Sequence, residues 1–302
     1  MTTHADAPYS LVGLDPCLAP LDRADALRGD ANALAGAWPQ AWVLRIDGEG
    51  RAAGDAEHGP SLRRGTDWPA MPAGADFLGL ADDGTAWFAT TLDDDAPRID
   101  LRSAAHAWPL REASAFATAH ALHHWHLRHR YCGSCGGGVE FVRGGWLGRC
   151  LHCGREHYPR TDPAVIVAAS DGERLLMGRQ AAWPPRRHSV IAGFVEPGET
   201  LEQAVAREVM EETGIRITRC RYLGSQPWPM PTSLMLGFIA DADLGEVACT
   251  DELESARWFT REEIVEALEA EARGDTDASP FLLPSSISIA HWLVREWLRE
   301  TA

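Results

Sequence analysis

The hydrophobic pattern changes character twice along the chain. In the first hundred residues, apolar positions come in short runs bounded by turn residues. Ala41 to Ala53 (AWVLRIDGEGRAA) reads as a strand followed by an Asp47-Gly48 turn, and Asp76 to Leu92 as a hairpin turning at Asp83-Gly84. Polar, Pro/Gly-rich connections lie between them, so residues 1–110 are predicted to be a separate β-rich domain. Over 111–131 the spacing becomes helical, with Ala115, Ala119, Leu122 and Trp125 on one face. From Tyr158 onward strands and helices mix. Pro163 to Ser170, Arg174 to Arg179 and Ser189 to Phe194 read as strands, followed by CRYLGSQ, LMLGFIA and ARWF. Helices are predicted over Arg261 to Ala272 and Ser288 to Arg299, the latter with Ala290, Leu293, Val294 and Trp297 on one face. A mixed sheet with helices on both sides fits this order, over 158–302.

One predicted helix has an unusual face. Thr200 stands where a cap would, Gln203 completes the capping-box spacing, and Gly214 suits a left-handed stop. Leu201, Ala204 and Val205 form an apolar stripe, and Glu208, Glu211 and Glu212 fall within an arc of roughly 100° that overlaps it. Carboxylates turned inward repel one another and lose hydration. They call for a positive partner: Arg207, and a hard divalent cation with oxygen ligands.

Composition narrows the classes. The chain has 302 residues, 45% of them hydrophobic, and a net charge of −16. A general nucleic-acid or membrane-surface binder would be basic, although a bound metal would still allow an anionic substrate. No apolar run is long enough to span a membrane, and MTTHADAPYS lacks the regions of a signal peptide. The expected compartment is the cytoplasm, which the cysteines support. Cys132, Cys135, Cys150 and Cys153 form two CxxC knuckles at zinc-ribbon spacing over 132–157, a closed four-thiolate site whose Zn2+ would be structural. Cys17, Cys220 and Cys249 read as core or surface thiols. The five histidines between His120 and His129 include ligand-like spacings, but a partly packed polar helix face explains them better.

Gly193, Glu199, Arg207, Glu208, Val209, Glu211, Glu212, Gly214 and Ile215 fill every fixed position of the Nudix box, G-x5-E-x7-R-E-U-x-E-E-x-G-U, where U is aliphatic. The chain therefore resembles the Nudix hydrolases. The resemblance implies an α/β/α sandwich, a catalytic Mg2+ or Mn2+, and hydrolysis of a nucleoside diphosphate linked to another group. Further on, Ser225 to Ser233 (SQPWPMPTS) is similar to the SQPWPFPxS signature of the NADH pyrophosphatase branch, also known as NAD-capped RNA hydrolases, with Met230 in place of Phe. A ribbon directly before the Nudix domain fits the same branch.

That branch implies cleavage of NADH, with NAD+ and NAD-capped RNA 5′ ends as candidates, to AMP and nicotinamide mononucleotide. It implies metal ligands at Glu208, Glu212, the Ala192 carbonyl and Glu252, with Glu211 a weaker one, and a Glu199–Arg207 pair that holds the loop. It points to Phe194 and Tyr158 as rings stacking on adenine, in the family drawn from two subunits of a homodimer; otherwise each ring reads as a core aromatic. Gln226, Pro227, Trp228, Pro229, Met230, Pro231, Thr232 and Ser233 are expected to line the site, and Ala290 to touch the ligand through its backbone. A Nudix-like N-terminal domain is implied by domain order alone. The rival readings are a Nudix hydrolase for ADP-ribose or another nucleoside diphosphate derivative, and a zinc-ribbon nucleic-acid or protein-binding module with an inert Nudix domain.

Overall fold

The computed structural model describes residues 20–249 and 252–301. Cys17 and the N-terminal segment lie outside the described residues. The chain forms two compact units. One runs up to Thr161 and also includes Trp228–Thr232; the other comprises Asp162–Pro227 and the chain from Ser233 onward.

The first unit opens with α1 (Asp25–Arg28) and α2 (Ala31–Ala37), then strands β1 (Trp42–Ile46), β2 (Ala52–Asp55), β3 (Gly59–Pro60), β4 (Arg63–Arg64), β5 (Asp76–Leu80), β6 (Ala86–Thr91) and β7 (Arg98–Ile99). These make a seven-stranded sheet in the order β3-β2-β1-β6-β5, with β4 paired to β1 and β7 to β2. The predicted hairpin is β5 with β6, antiparallel, around Asp83-Gly84. The Asp47-Gly48 turn is fixed by the Asp47 carboxylate, which accepts from the N–H groups of Glu49 and Arg51 at 3.0 and 2.9 Å. Trp38, Phe77 and Phe88 meet edge to face beneath this sheet.

Two short helices, α2 and α3 (Leu101–Ala107), were not expected in the sequence. Each begins at an aspartate cap, Asp30 and Asp100, whose carboxylate accepts from backbone N–H groups of the first turn. Helix α4 (Leu110–Arg128) matches the predicted helix and buries Ala115, Ala119, Leu122 and Trp125. Three of the five histidines between His120 and His129 bond to backbone carbonyls at close range. His120 and His126 lie 2.8 Å from the carbonyls of Gly50 and Gly145, and His129 3.0 Å from that of Trp125. The ribbon follows as a three-stranded sheet, β8 (Val139–Val142), β9 (Leu147–Cys150) and β10 (Glu156–His157), in the order β10-β9-β8.

The second unit holds β11 (Asp162–Ser170), β12 (Arg174–Arg179), β13 (Ile191–Phe194), α5 (Leu201–Thr213), β14 (Ile217–Trp228), β15 (Ser233–Ala242), β16 (Ser255–Thr260), α6 (Arg261–Ala272) and α7 (Ile289–Glu300). The sheet order is β14-β15-β11-β12-β16, with β13 paired antiparallel to β11 and β15 parallel to it. It is therefore mixed, as the hydrophobic pattern predicted. Because side chains alternate along β11, Ile166 and Ala168 enter the core under α6 and α7, while Val165 and Val167 enter the core under α5. The sheet is covered on both faces. Among the described residues, no helix is long and apolar enough to cross a membrane.

Candidate active site and zinc centre

Helix α5 starts and stops where its sequence says. The Thr200 hydroxyl accepts from Gln203 N–H, the Gln203 side chain accepts from Thr200 N–H, and Gly214 closes the helix at φ 70°. Between these ends, Ala204, Val205 and Val209 are fully buried against the sheet. This packing fixes the rotation of the helix and carries Glu208 and Glu212 inward, to 8% and 4% exposure. Glu211 departs from expectation: it is exposed.

The Glu208 side chain packs against Gly193 of strand β13. A methyl group built on Gly193 would stand 1.8 Å from the Glu208 carboxyl carbon, so only glycine leaves room for the carboxylate. Ala192, immediately before it, is held opposite Ile166 by the sheet. Arg207 binds three carboxylates. Its guanidinium donates to Glu199 at 2.6 and 3.1 Å and to Glu211 at 3.0 Å, and lies 2.9 Å from Glu208; it also donates to the Phe194 carbonyl at 2.9 Å. The expected Glu199–Arg207 pair is thus present. It closes the loop between β13 and α5, and Glu199 also accepts from Glu196 N–H at 2.8 Å.

The electrostatics follow from this geometry. Hydrogen bonds from Arg207 hold Glu199 below the ordinary glutamate range, and those carboxylates hold Arg207 above its own. Burial pushes Glu208 up, with Glu211 and Glu252 adding repulsion against the pull of Arg207. Among the described residues, Glu212 has no cation of its own. Burial first, then Glu208, Glu252 and Glu211, raise it to about 7. Glu252 is exposed, yet its charge is felt at both buried glutamates. A divalent cation fits this donor set, since it would remove the repulsion that Arg207 leaves at Glu212.

The remaining predicted residues fall in several places. Phe194 is 60% exposed and Tyr158 64%, so neither is a core aromatic. Both rings are free to stack, and the Tyr158 hydroxyl donates to Glu156 at 2.7 Å. The expected proline-rich loop is largely strand: β14 runs through Trp228 and β15 begins at Ser233. Pro227 and Pro231 are exposed, Pro229 is buried, and Trp228, Met230, Thr232 and Ser233 are half-buried. Gln226 corrects the expectation that it lines the site. It is 0% exposed, its amide nitrogen donates to the Ile287 carbonyl at 2.7 Å, and its amide oxygen accepts from Ile289 N–H at 2.7 Å. It ties β14 to the start of α7, where Ala290 is buried in the core. No periodicity could have shown this, because the pair spans more than sixty positions of chain.

The four ribbon cysteines form a second, separate centre. Their sulfurs all lie within 4.8 Å of one another, with Cys135 and Cys150 3.4 Å apart and Cys132 and Cys153 3.8 Å apart. The N–H groups of His152 and Cys153 point at Cys150 Sγ, each at 3.4 Å. Backbone hydrogen bonds, led by those from Ser134 and Cys153 respectively, lower the Cys132 thiol to about 5 and draw Cys150 down as well. Four thiols this crowded fit a tetrahedral Zn2+ with no open position. Among the described residues, they are the one group of three or more ligand side chains gathered this closely. Of the other cysteines, Cys220 is half-buried and Cys249 exposed.

Comparison with known proteins matches this division. Residues 159–281 match the NUDIX domain, and residues 127–158 match the NADH pyrophosphatase zinc ribbon domain. The protein named NAD-capped RNA hydrolase NudC of Mycobacterium bovis (strain BCG / Pasteur 1173P2) is 41% identical over 290 residues, covering 91% of this chain and 92% of that one. The human protein named NAD-capped RNA hydrolase NUDT12 is 41% identical over 200 residues, 63% of this chain and 42% of that one. Among solved structures, a Nudix hydrolase from Nitrosomonas europaea aligns with 51% of this chain and 97% of its own at 25% identity, with a TM-score of 0.40. An inward carboxylate helix on a mixed sheet, with a four-thiol ribbon ahead of it, is thus a metal-dependent Nudix hydrolase. Within that class, the chain belongs to the NudC family.

Proposed function

We propose that the protein hydrolyses the pyrophosphate bond of NADH, with NAD+ and NAD-capped RNA 5′ ends as further substrates, releasing AMP from the free dinucleotides together with the nicotinamide mononucleotide. The observation that carries this reading is the inward Glu208–Glu212 pair, in a chain that also bears the SQPWPMPTS stretch and the branch's ribbon. A Mg2+ or Mn2+ ion held by Glu208, Glu212, Glu252 and the Ala192 carbonyl, with Glu211 at its margin, would supply charge neutralisation and an acidified water. The chain's own residues do the rest. Arg207 and Glu199 fix the loop on which Gly193 and Phe194 sit. Glu212 is ready to exchange a proton for a cation near neutral pH. Phe194 offers its exposed ring to the adenine, and Tyr158 does so for the partner subunit of a homodimer. Trp228 to Ser233 form a wall for the nicotinamide half, and Gln226 acts by positioning, through the start of α7. Water adds across one phosphoanhydride bond: its oxygen ends on one phosphorus and the bridging oxygen leaves with the other. The ribbon's Zn2+ is structural, and the cytoplasm is the compartment that suits its thiolates.

The test is hydrolysis of NADH with Mg2+ or Mn2+, products resolved by chromatography, for the parent and Glu212→Gln. AMP plus reduced nicotinamide mononucleotide, with kcat reduced roughly a hundredfold or more in the variant, is the expected result. Turnover of ADP-ribose with no cleavage of NADH or NAD+ would overturn the substrate and keep the reaction class.

A further inference from the structure

The ribbon has a surface that holding zinc does not use. From Leu127 to Tyr158 the sequence contains five arginines and two glutamates, inside a chain of net charge −16. Two of the arginines stand beside acids. Arg143 pairs with Asp25 at 3.1 Å, and Arg149 lies directly across from Glu140 on β8 and Glu156 on β10. Arg128, Arg130 and Arg155 are exposed, and among the described residues none of their guanidinium groups has an ion pair or hydrogen bond. Elsewhere in the chain Arg51, Arg174, Arg179, Arg186, Arg207 and others are held by carboxylates.

Beside these cations stand large side chains with no core of their own. Tyr131 is 73% exposed and Leu151 69%. Gly138 brings them together: Tyr131 bridges to it, and Leu151 N–H donates to its carbonyl at 2.9 Å. The Arg130 carbonyl accepts from Val139 N–H at 3.0 Å, and the Arg155 carbonyl from Cys150 N–H at 2.9 Å, so both arginines are rooted in the same two knuckles. The four thiols that hold those knuckles make the surface rigid.

A ring, an aliphatic side chain and unpaired guanidinium groups on a rigid frame match one polymer well. Single-stranded nucleic acid sets its phosphates on cations and a base face on an aromatic ring, with little regard for sequence. The low charge of the whole chain does not oppose this, because screening confines each surface charge to its own neighbourhood, within roughly 8–10 Å at physiological salt. We propose that this face of the ribbon binds the single-stranded RNA body of a capped substrate, giving capped RNA an affinity that free dinucleotide lacks. The proposal rests on the reading of NAD-capped RNA as a substrate.

The experiment uses the full-length, zinc-loaded protein and two exposed-site variants, Arg130→Glu and Tyr131→Ser. A short unstructured RNA with a 5′ triphosphate, which has no nicotinamide, is titrated by fluorescence anisotropy across a salt series. Hydrolysis of NADH and of the same RNA carrying an NAD cap is measured alongside. The expected result is roughly tenfold weaker RNA binding in Tyr131→Ser, and in Arg130→Glu a salt slope smaller by about one. In both, kcat/KM falls for capped RNA and is unchanged for NADH. Equal RNA binding by parent and variants overturns the proposal. So does a shift of either variant to a smaller species in sedimentation, which would make the face a contact between copies, or an equal loss on NADH, which would make the residues structural. A parent that cleaves NADH but not capped RNA would defeat the substrate reading, while the anisotropy titration would still decide whether the ribbon holds RNA.

Discussion

Glu208, Glu211 and Glu212 sit within five positions of one another and behave as three different acids. Relative to Glu208, Glu212 lies about 40° round the helix and Glu211 about 60° the other way. The sheet covers the first direction and leaves the second to solvent, so Glu211 ends on the flank, held only by Arg207 at 3.0 Å. Periodicity placed all three in one arc, but burial falls off more steeply across a helix flank than an arc suggests. Glu212 carries the larger consequence. Its folded pKa is raised from the usual 4.5 to about 7, so its ionisation opposes folding. The contribution is intact below pH 4.5 and is lost as pH rises to about 7. In protein freed of added divalent ions but retaining zinc, Glu212→Gln is expected to unfold about 2–4 °C higher than the parent at pH 8, allowing about 1 kcal/mol after solvent screening, and at no higher temperature at pH 4.5. Scanning calorimetry at the two pH values checks this. A pH-independent difference would mean that the carboxylate is not confined as described. Phe194 and Tyr158 mark the other limit of reading at this scale. An isolated aromatic reads as core, and only the folded chain shows which rings are left without one.

At the level of elements, the ends of helices were the most legible features. Thr200 with Gln203, and Thr260 with Glu263, are full capping boxes, and α6 spans the residues its pattern predicted. The caps Asp30 and Asp100 obey the same chemistry, but their helices are seven residues long, too short for a hydrophobic period to declare itself. What local pattern could not show is how β14 meets α7. Gln226 joins them with two buried hydrogen bonds, each 2.7 Å long. Replacing it with leucine leaves the Ile287 carbonyl and the Ile289 N–H without partners in the core. The expected cost is about 2–4 kcal/mol in urea unfolding. At a denaturant-free temperature where the variant is folded, KM for NADH should rise more than kcat falls, since the residue positions the wall and touches no reacting atom. A variant as stable as the parent would show that water replaces the amide.

For the whole molecule, the chain divides between Thr161 and Asp162, whereas the hydrophobic pattern changes at Tyr158. The seven-stranded sheet of the first unit was only partly readable. Four of its strands have four residues or fewer, and β3 and β4 lie in what reads as a polar connection. The net charge is similarly coarse, because a sum over 302 residues hides a basic ribbon. The two units answer to different ions, and removal experiments should separate them. Stripping zinc with a thiol-competent chelator is expected to expose the segment 132–157 to protease while the second unit keeps its melting transition. Withholding Mg2+ and Mn2+ should stop turnover and leave the ribbon resistant. Limited proteolysis with mass-resolved fragments distinguishes the cases. Early cleavage inside α5 or β11 on zinc removal would contradict them.

The space beneath Glu208 bears on how copies of this gene decay. Position 193 has room for hydrogen and for nothing larger, because the carboxyl carbon sits 1.8 Å from where a methyl would go. One base change in a glycine codon can therefore push the carboxylate out of place with every glutamate of the box still written in the sequence. A degenerate copy need not lose an acid to fall silent. A census of acids alone would count such a copy as alive, and the glycine has to be read with them.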